Sequence, residues 1–581
     1  MEHTFNTYRV EIKNLKYITE GGRKFPRTAI ITFFDDSGKE SGTELLGNMD
    51  ISEIYKLIKE GGDLNFDNCY IEDFSLSYYR QHYNLDKKEM LQLRGFSAAN
   101  SFFEAHPITD FSHCDFGEGD VSFEGSVFAK GKVSFHASRF GDGNMIFSGV
   151  SILEGNIDFS GVEAGSGDFI FKNAFIGNGI KDFQDMTFAD GEITFANTEF
   201  SSGELLFINT HFGNGKFSFK IARVASGKID FHYASFGSGD VVFERAEFGE
   251  SRVDFRAVDF GTGRVNFNRS VFGLGEVAFE GASFSGSKFY FKRVSMQIGR
   301  KDFSLMEMPG ADLSFEKTDF GSGAIDFNTT RCNVLSLQSC HLDHYVDLRI
   351  AGAKELDLSD SIVRDIIDLE PYNADVSIDI INMSGMRLLG KLYIDWSKNN
   401  CKRSIMMQEN TSIRQKAEQF RILKENFNVT GKYDDEDLAY IMFKRLESKA
   451  GLEEAKLNRK GLKMTGPYLS YISRWLIFDA AGQYATNPVR VLVSMVVSYV
   501  FFSLMFIFQM IFTRADIVAS VDDQLSLVAK AFYHSAITFL TIGYGDHFPY
   551  GSIRWMSGLE GFVGLFLMSY FTVAFVRKIL R

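Results

Sequence analysis

Phe248-Gly249-Glu250-Ser251-Arg252-Val253-Asp254-Phe255-Arg256-Ala257-Val258-Asp259-Phe260 spans one unit, and the first residue of the next, of a pattern that fills much of this chain. Phe recurs every 12 residues from Phe111 to Phe327 with no insertion. A second ladder, five residues behind the first, runs from Phe116 to Phe320. Ile152, Ala164, Ile176, Val224, Met296 and Met308 fill its rungs that lack Phe. The unit reads Phe-Gly-x-Gly-x-Val-x-Phe-x-x-Ala-x. Self-similarity at a fixed short period marks a solenoid, in which each unit buries its apolar face against its neighbours. Val253 and Phe255 are two residues apart and share one face of a strand, as do Ala246 and Phe248. Glu250, Arg252 and Asp254 are expected to face outward. The Gly-x-Gly segment allows a tight turn with positive φ.

This inward pairing of a small or branched residue with Phe resembles pentapeptide-repeat proteins, whose square coils stack into a right-handed β-helix. The spacing departs from theirs, with five and seven alternating in place of uniform fives. Two 12-residue units then make one four-sided coil of 24, because a 12-residue coil is too narrow for two stacked Phe columns. The regular repeats, 111–338, predict nine or ten coils and a rod on the order of 45 Å at a β spacing of roughly 4.8 Å. Val346/Leu348, Leu356/Leu358, Ile367/Leu369, Val376/Ile378 and Leu392/Ile394 keep the alternation, so the solenoid is placed at 64–400. Calcium-binding β-rolls need an Asp two residues after the second Gly, where this chain has Val241, Val265 and Val277. Twelve-residue β-repeats also lack the strand–turn–helix context of a dinucleotide site. The repeats are read as structural, or as a surface for an unknown cytoplasmic ligand or protein.

Residues 1–63 alternate at Tyr8–Ile12 and Ala29–Phe34 and carry a helical stretch at Ile51–Glu60, predicting a small α+β cap or a sensor domain. Asp86–Phe103 reads as a short helical insertion. Residues 405–465 read as a helical hairpin, its first helix over Ser412–Thr430 ending at Gly431 and its second starting at Asp434 and Asp435. Residues 466–488 read as an interfacial helix, amphipathic over Tyr468–Phe478 and lying on the inner membrane surface before Pro488.

Two apolar segments follow. Val491–Phe512 has 22 positions and no charge, and Met556–Val576 has 21 with one acid, Glu560. Each reaches the roughly 20 residues that cross a bilayer. Leu525–Leu540 between them is too short and polar to span, and is read as a helix dipping part-way in, capped by Asp522 or Asp523 with its negative end toward a cation. Irregular backbone at that depth is tolerated only when buried in protein or lining a wet cavity. Arg459, Lys460, Lys463, Arg474 and Arg490 precede the first span, and Arg577, Lys578 and Arg581 follow the second. Both termini are therefore expected in the cytoplasm of a multi-pass cell-membrane protein. Trp555 is placed at the outer interface.

Between the spans stands Thr541-Ile542-Gly543-Tyr544-Gly545-Asp546. An extended segment with Gly at alternate positions can turn successive carbonyls toward one axis. The segment resembles the selectivity filter of the two-transmembrane-helix potassium channel family, whose pore reads approximately Ser-x-x-Thr-x-Thr-Thr-x-Gly-Tyr-Gly-Asp. Ser535, Thr538, Thr541, Gly543, Tyr544, Gly545 and Asp546 match, and Leu540 replaces one Thr. The resemblance implies that the filter is Thr541–Gly545. Potassium is bound there by the carbonyls of Thr541, Ile542, Gly543 and Tyr544 and the Thr541 hydroxyl, with Asp546 at the outer mouth. Ser535, Thr538 and Glu560 are the expected filter supports, Glu560 bonding behind the filter or tuning its stability. Gly564, with Gly561 as its rival, is the candidate gating hinge or a site of close helix packing.

One filter per chain implies a homotetramer in a lipid bilayer. No Arg ladder precedes the first span. The sequence ends at Arg581, so control is expected from the N-terminal side, where the connector resembles that of pentapeptide-repeat ion channels. Net charge of −13 argues against nucleic acid. The odd set Cys69, Cys114, Cys332, Cys340 and Cys401 has no metal spacing and predicts reduced thiols. No cofactor and no catalytic constellation is read. The leading expectation is a potassium-selective channel with a cytoplasmic solenoid. A membrane-anchored binding scaffold and a cation channel of relaxed selectivity are the alternatives.

Overall fold

The computed structural model describes residues 7–19, 21–371, 377–458, 461–521 and 525–580. The chain divides into two compact units, Met1–Gln408 and Glu409–Arg581.

The first unit opens with an antiparallel sheet of β1 (Thr7–Lys13), β2 (Arg27–Phe34) and β3 (Glu40–Asn48), in register at Val10↔Ile31 and Ile31↔Glu44. The alternation of β2 buries Ala29, Ile31 and Phe33 against Tyr70, Phe102 and Val127. Helix α1 (Ile51–Glu60) is capped by Asp50 and closed by Gly61 at φ 67°. β3 then pairs in parallel with β4 (Cys69–Glu72), and β4 with β5 (Phe102–Asp110), so the cap sheet runs into the solenoid without a break.

The solenoid makes about 14 turns over residues 47–393. Val241 pairs with Val265 and Val253 with Val277, which sets the coil at 24 residues. Short parallel pairings at 241–242, 247, 253–254 and 259 give the four sides. Val253, Phe255, Ala246 and Phe248 are fully buried. Rings one coil apart stack face to face, with Phe231–Phe255 at 4.9 Å and Phe255–Phe279 at 4.8 Å. Rings half a coil apart meet edge to face, with Phe243–Phe255 at 5.5 Å and 80°. Phe248–Phe272, at 4.6 Å, belongs to the second ladder. Truncation of Phe255 to Ala, removing a ring held on all sides, is expected to cost ~3–5 kcal/mol. An unchanged melting profile for that variant would contradict the stack.

The corners differ from expectation in two respects. A left-handed residue sits two positions after the first-ladder Phe, as at Asn173 (φ 57°), Asn197 (φ 56°), Arg245 (φ 58°) and Ala257 (φ 52°). Asp254, expected outside, is instead buried, because its carboxylate accepts the Arg256 amide at 3.1 Å and the Arg256 guanidinium covers it. The second glycine of Gly-x-Gly serves close approach. A Cβ at Gly239 would lie 2.0 Å from the Gly215 carbonyl oxygen of the preceding coil. Past Phe327 the coil shortens to 21 residues (Ile325↔Val346) and then lengthens to 25 (Leu356↔Ile381), and the Phe columns give way to Leu, Ile and Val. Val376 lies outside the described residues.

The predicted insertion at Asp86–Phe103 is not helical. The helix is α2 (Leu76–His82), capped by Ser75. Buried Arg80 donates to the carbonyls of Glu89, Ser112 and His113, which pins the following segment as a turn leading into extended chain. Helix α3 (Cys401–Met406), which the sequence did not suggest, packs on the last coil. All five cysteines are buried, and burial pushes the Cys69, Cys332 and Cys340 thiols up to about 12.

The second unit starts with an antiparallel hairpin. Helix α4 (Ile413–Thr430) carries a capping box from Ser412 and Gln415 and ends at Gly431, φ 76°. Helix α5 (Tyr433–Asn458) returns beside it, and Arg414 forks onto Glu454 at 3.0 and 2.9 Å. Helix α6 (Thr465–Arg474) continues into a π-helical turn, Trp475–Ala480. An elbow then leads to α7 (Pro488–Phe512), α8 (Leu527–Phe539) and α9 (Ile553–Ile579). Helices α7 and α9 are long and apolar enough to cross a membrane, with mean hydropathies of 2.5 and 1.8. Asp522, Asp523, Arg459, Lys460 and Arg581 lie outside the described residues. The α8 cap is Ser526, whose hydroxyl accepts from the Ala529 amide at 3.3 Å.

Candidate pore and filter

Helix α8 ends at Phe539 because the chain turns left-handed at Thr541 (φ 58°). The Thr541 amide still reaches the Thr538 carbonyl at 3.1 Å, and the Ile542 amide reaches that of Ile537 at 2.8 Å. These bonds root the extended segment on the end of the helix. Gly543 (φ 62°) and Gly545 (φ 76°) repeat the left-handed conformation, whereas Ile542 and Tyr544 do not adopt it. Positive φ at every second residue turns successive peptide planes the same way round, the condition for several carbonyls in a row to face one axis. Thr541 is not glycine, and a left-handed conformation costs it of order 1–3 kcal/mol, maintained only where the surroundings over-determine it. A Cβ at Gly543 or Gly545 meets nothing within 4 Å, so backbone torsion and not space within the chain calls for glycine.

The C-terminal end of the segment is anchored through Asp546. The Tyr533 hydroxyl donates to Oδ2 at 2.6 Å, the His547 amide to Oδ1 at 3.0 Å, and the Ser520 amide to the Asp546 carbonyl at 2.8 Å. The Tyr533 bond, followed by those of His547, holds the Asp546 carboxyl below its usual range. A two-stranded ribbon, β6 (Asp516–Ala519) with β7 (His547–Tyr550), joins the segment after α7 to the segment after Asp546, with Ile517↔Pro549 in register. Its strands are too short, and one contains Pro549, to have been legible in the sequence.

One face of α9 carries Ser557, Glu560, Gly561 and Gly564, at spacing i, i+3, i+4, i+7. Each meets α8. His534 Nε2 lies 2.9 Å from Ser557 Oγ. The Ser535 hydroxyl donates to fully buried Glu560, and also contacts the Tyr499 carbonyl on α7 at 3.2 Å. A Cβ at Gly561 would sit 3.9 Å from the Thr538 carbonyl oxygen, and one at Gly564 only 2.1 Å from that of Phe539. Helix α9 runs unbroken through both glycines. The structure thus brings Ser535 and Thr538 of α8 together with Glu560, Gly561 and Gly564 of α9. His534 and Ser557 were missed in the sequence, although the polar and small residues at helical spacing in an otherwise apolar span were the available signal.

Residues 491–581 match the family model described as an ion channel. No curated protein and no solved structure matches the chain. The matched segment takes in most of α7 and all of α8, the 541–546 segment and α9. The chain is a membrane protein with an ion-channel domain following a β-solenoid.

Proposed function

We propose that this chain is one subunit of a homotetrameric, potassium-selective channel of the cell membrane. The observation that carries the reading is the left-handed backbone at Thr541, Gly543 and Gly545, alternate residues of a segment rooted on α8 and tied down at Asp546. In this reading the carbonyls of Thr541, Ile542, Gly543 and Tyr544 and the Thr541 hydroxyl replace the hydration shell of potassium. Asp546 sits at the outer mouth and concentrates cations. Four chains are needed because each supplies one oxygen per ring. Arg474 and Arg490 before α7 and Arg577 and Lys578 after α9 orient both termini to the cytoplasm. Exposed Leu469, Ile472, Trp475 and Leu476 on α6 and its π turn suit the inner membrane surface. The solenoid regulates the pore through the α4–α5 hairpin. Of the two hinge candidates, Gly561 is the position for a bend, because Gly564 is occupied by packing against Phe539.

The test is flux. Purified protein in potassium-loaded vesicles is expected to pass potassium far faster than sodium, the permeation of one ion over the other being set by the carbonyl rings. Equal sodium and potassium flux would replace this reading with a non-selective cation channel, and no flux would leave the spans as an anchor.

A further inference from the structure

Helix α5 holds both cytoplasmic ends of the channel domain's long helices. At its start, Asp437 Oδ1 accepts from the Arg577 guanidinium at 2.8 Å, and Glu436 lies 3.6 Å from the same group. Lys578 reaches Asp434 at 2.9 Å and Asp437 at 3.0 Å. Arg577 also lies over the Tyr440 ring, 4.8 Å from its centroid. Glu436 and Asp437 are buried, so these pairs are shielded from solvent screening at their acidic side. Two turns further along, Arg445 forks onto buried Asp479 at 2.8 and 2.8 Å. Asp479 belongs to the π turn that leads into α7.

The elbow between Asp479 and α7 is strained. Gln483, Tyr484 and Ala485 are three consecutive non-glycine residues in the left-handed region, at φ 49°, 59° and 63°. Such a run persists only where neighbours impose it. The Tyr570 hydroxyl of α9 supplies one constraint, accepting from the Ala485 amide at 2.8 Å and donating to the Phe478 carbonyl at 3.0 Å. The beginning of α7 and the end of α9 are therefore locked to each other at the elbow and to α5 by ion pairs.

We propose that α5 is the gating lever of the channel, and that the Asp437–Arg577 and Arg445–Asp479 pairs are the two grips through which it moves the inner ends of α9 and α7 together. The inference rests on the channel reading above. Chain continuity supports it: α5 follows α4 through the Gly431 turn, and α4 begins just after the solenoid unit ends at Gln408. Opening at the inner end of α9 requires the Arg577 grip to move with it or to break, so the strength of that grip sets the balance of open and closed states.

The experiment uses the full-length protein in potassium-loaded vesicles, with Asp437→Asn, Arg577→Gln and the double variant. Each single variant is expected to change steady-state potassium flux about fivefold or more, in the same direction, with the double variant falling short of the product of the singles. Arg414→Gln, which breaks the exposed pair with Glu454 on the same hairpin, is expected to leave flux unchanged and so separates the grip from general loosening of the hairpin. The potassium-to-sodium ratio is expected to stay constant throughout. A conducting wild type whose flux is unaffected by Asp437→Asn and Arg577→Gln, or whose double variant shows the product of the two single effects, would overturn the lever. A wild type without selective flux would instead overturn the channel reading on which it rests.

Discussion

Gly543→Ala is expected to abolish potassium-selective flux while the protein still folds and assembles. Gly543 adopts φ 62°, and an L-residue pays roughly 1–2 kcal/mol there. In the proposed tetramer each of four chains would contribute one such residue to a ring, so the strain would fall four times on a single structural element. The added methyl meets nothing within 4 Å in its own chain, and neither helix packing nor the Tyr533–Asp546 bond is disturbed. Relief comes from rotating the peptide planes on either side of residue 543, which turns the Ile542 or Gly543 carbonyl away from the axis. The measurement is potassium and sodium flux in vesicles, alongside size-exclusion chromatography of the detergent-solubilised protein. An assembled variant with unchanged selective flux would show that residues 541–546 do not bind the ion.

The pore elements were legible because hydropathy in a membrane is a strong one-dimensional signal. The predicted spans 491–512 and 556–576 lie inside α7 and α9, and the predicted re-entrant segment 525–540 contains α8. Helix α4 was legible for a different reason, since Ser412 and Gly431 punctuate it at both ends. The solenoid was legible through its period, and the 24-residue coil followed from the width that stacked Phe rings require. What escaped lies in specific polar bonds and in close approaches between coils. The buried position of Asp254 depends on a bond to the Arg256 amide, and the need for glycine at 239 depends on a carbonyl one coil away. Neither is visible in the hydrophobic pattern of a single unit. The cap on α8 escaped for a related reason, because Ser526 competes locally with two nearby aspartates that have equal capping propensity.

The candidate site divided along the same line. The residues of the 541–546 segment stand next to one another in sequence, so the motif could be read without knowledge of the fold. The expected supports Ser535 and Glu560 stand 25 residues apart, and their pairing became visible only in the α8–α9 contacts. Glu560 is the instructive example. Hydropathy marks it as an anomaly in a span, and the structure answers the anomaly with the Ser535 hydroxyl. An acid buried at that depth without a partner would be costly.

Gly564→Val is expected to disable the channel by a route opposite to that of Gly543→Ala, through packing and not through the ion path. The first side-chain atom at position 564 would lie 2.1 Å from the Phe539 carbonyl oxygen and 2.9 Å from its carbon. Both are backbone atoms at the end of α8, so no rotamer change can clear them. Helix α9 would have to retreat by about 1 Å, and overpacking of this kind costs ~1–3 kcal/mol per chain. Retreat also pulls Glu560 from Ser535 and Ser557 from His534, because all three contacts lie on one helix face. The expected result is therefore a lower thermal midpoint and loss of the assembled form, with flux lost as a consequence. Gly561→Ala provides the contrast on the same face. Its added methyl meets the Thr538 carbonyl at 3.9 Å, an ordinary contact, so the thermal midpoint should hold. If α9 bends at Gly561, that variant shifts the fraction of open channels without destabilising the protein. A Gly564→Val protein with normal assembly and normal flux would mean that α9 does not pass against the end of α8 as the structure places it.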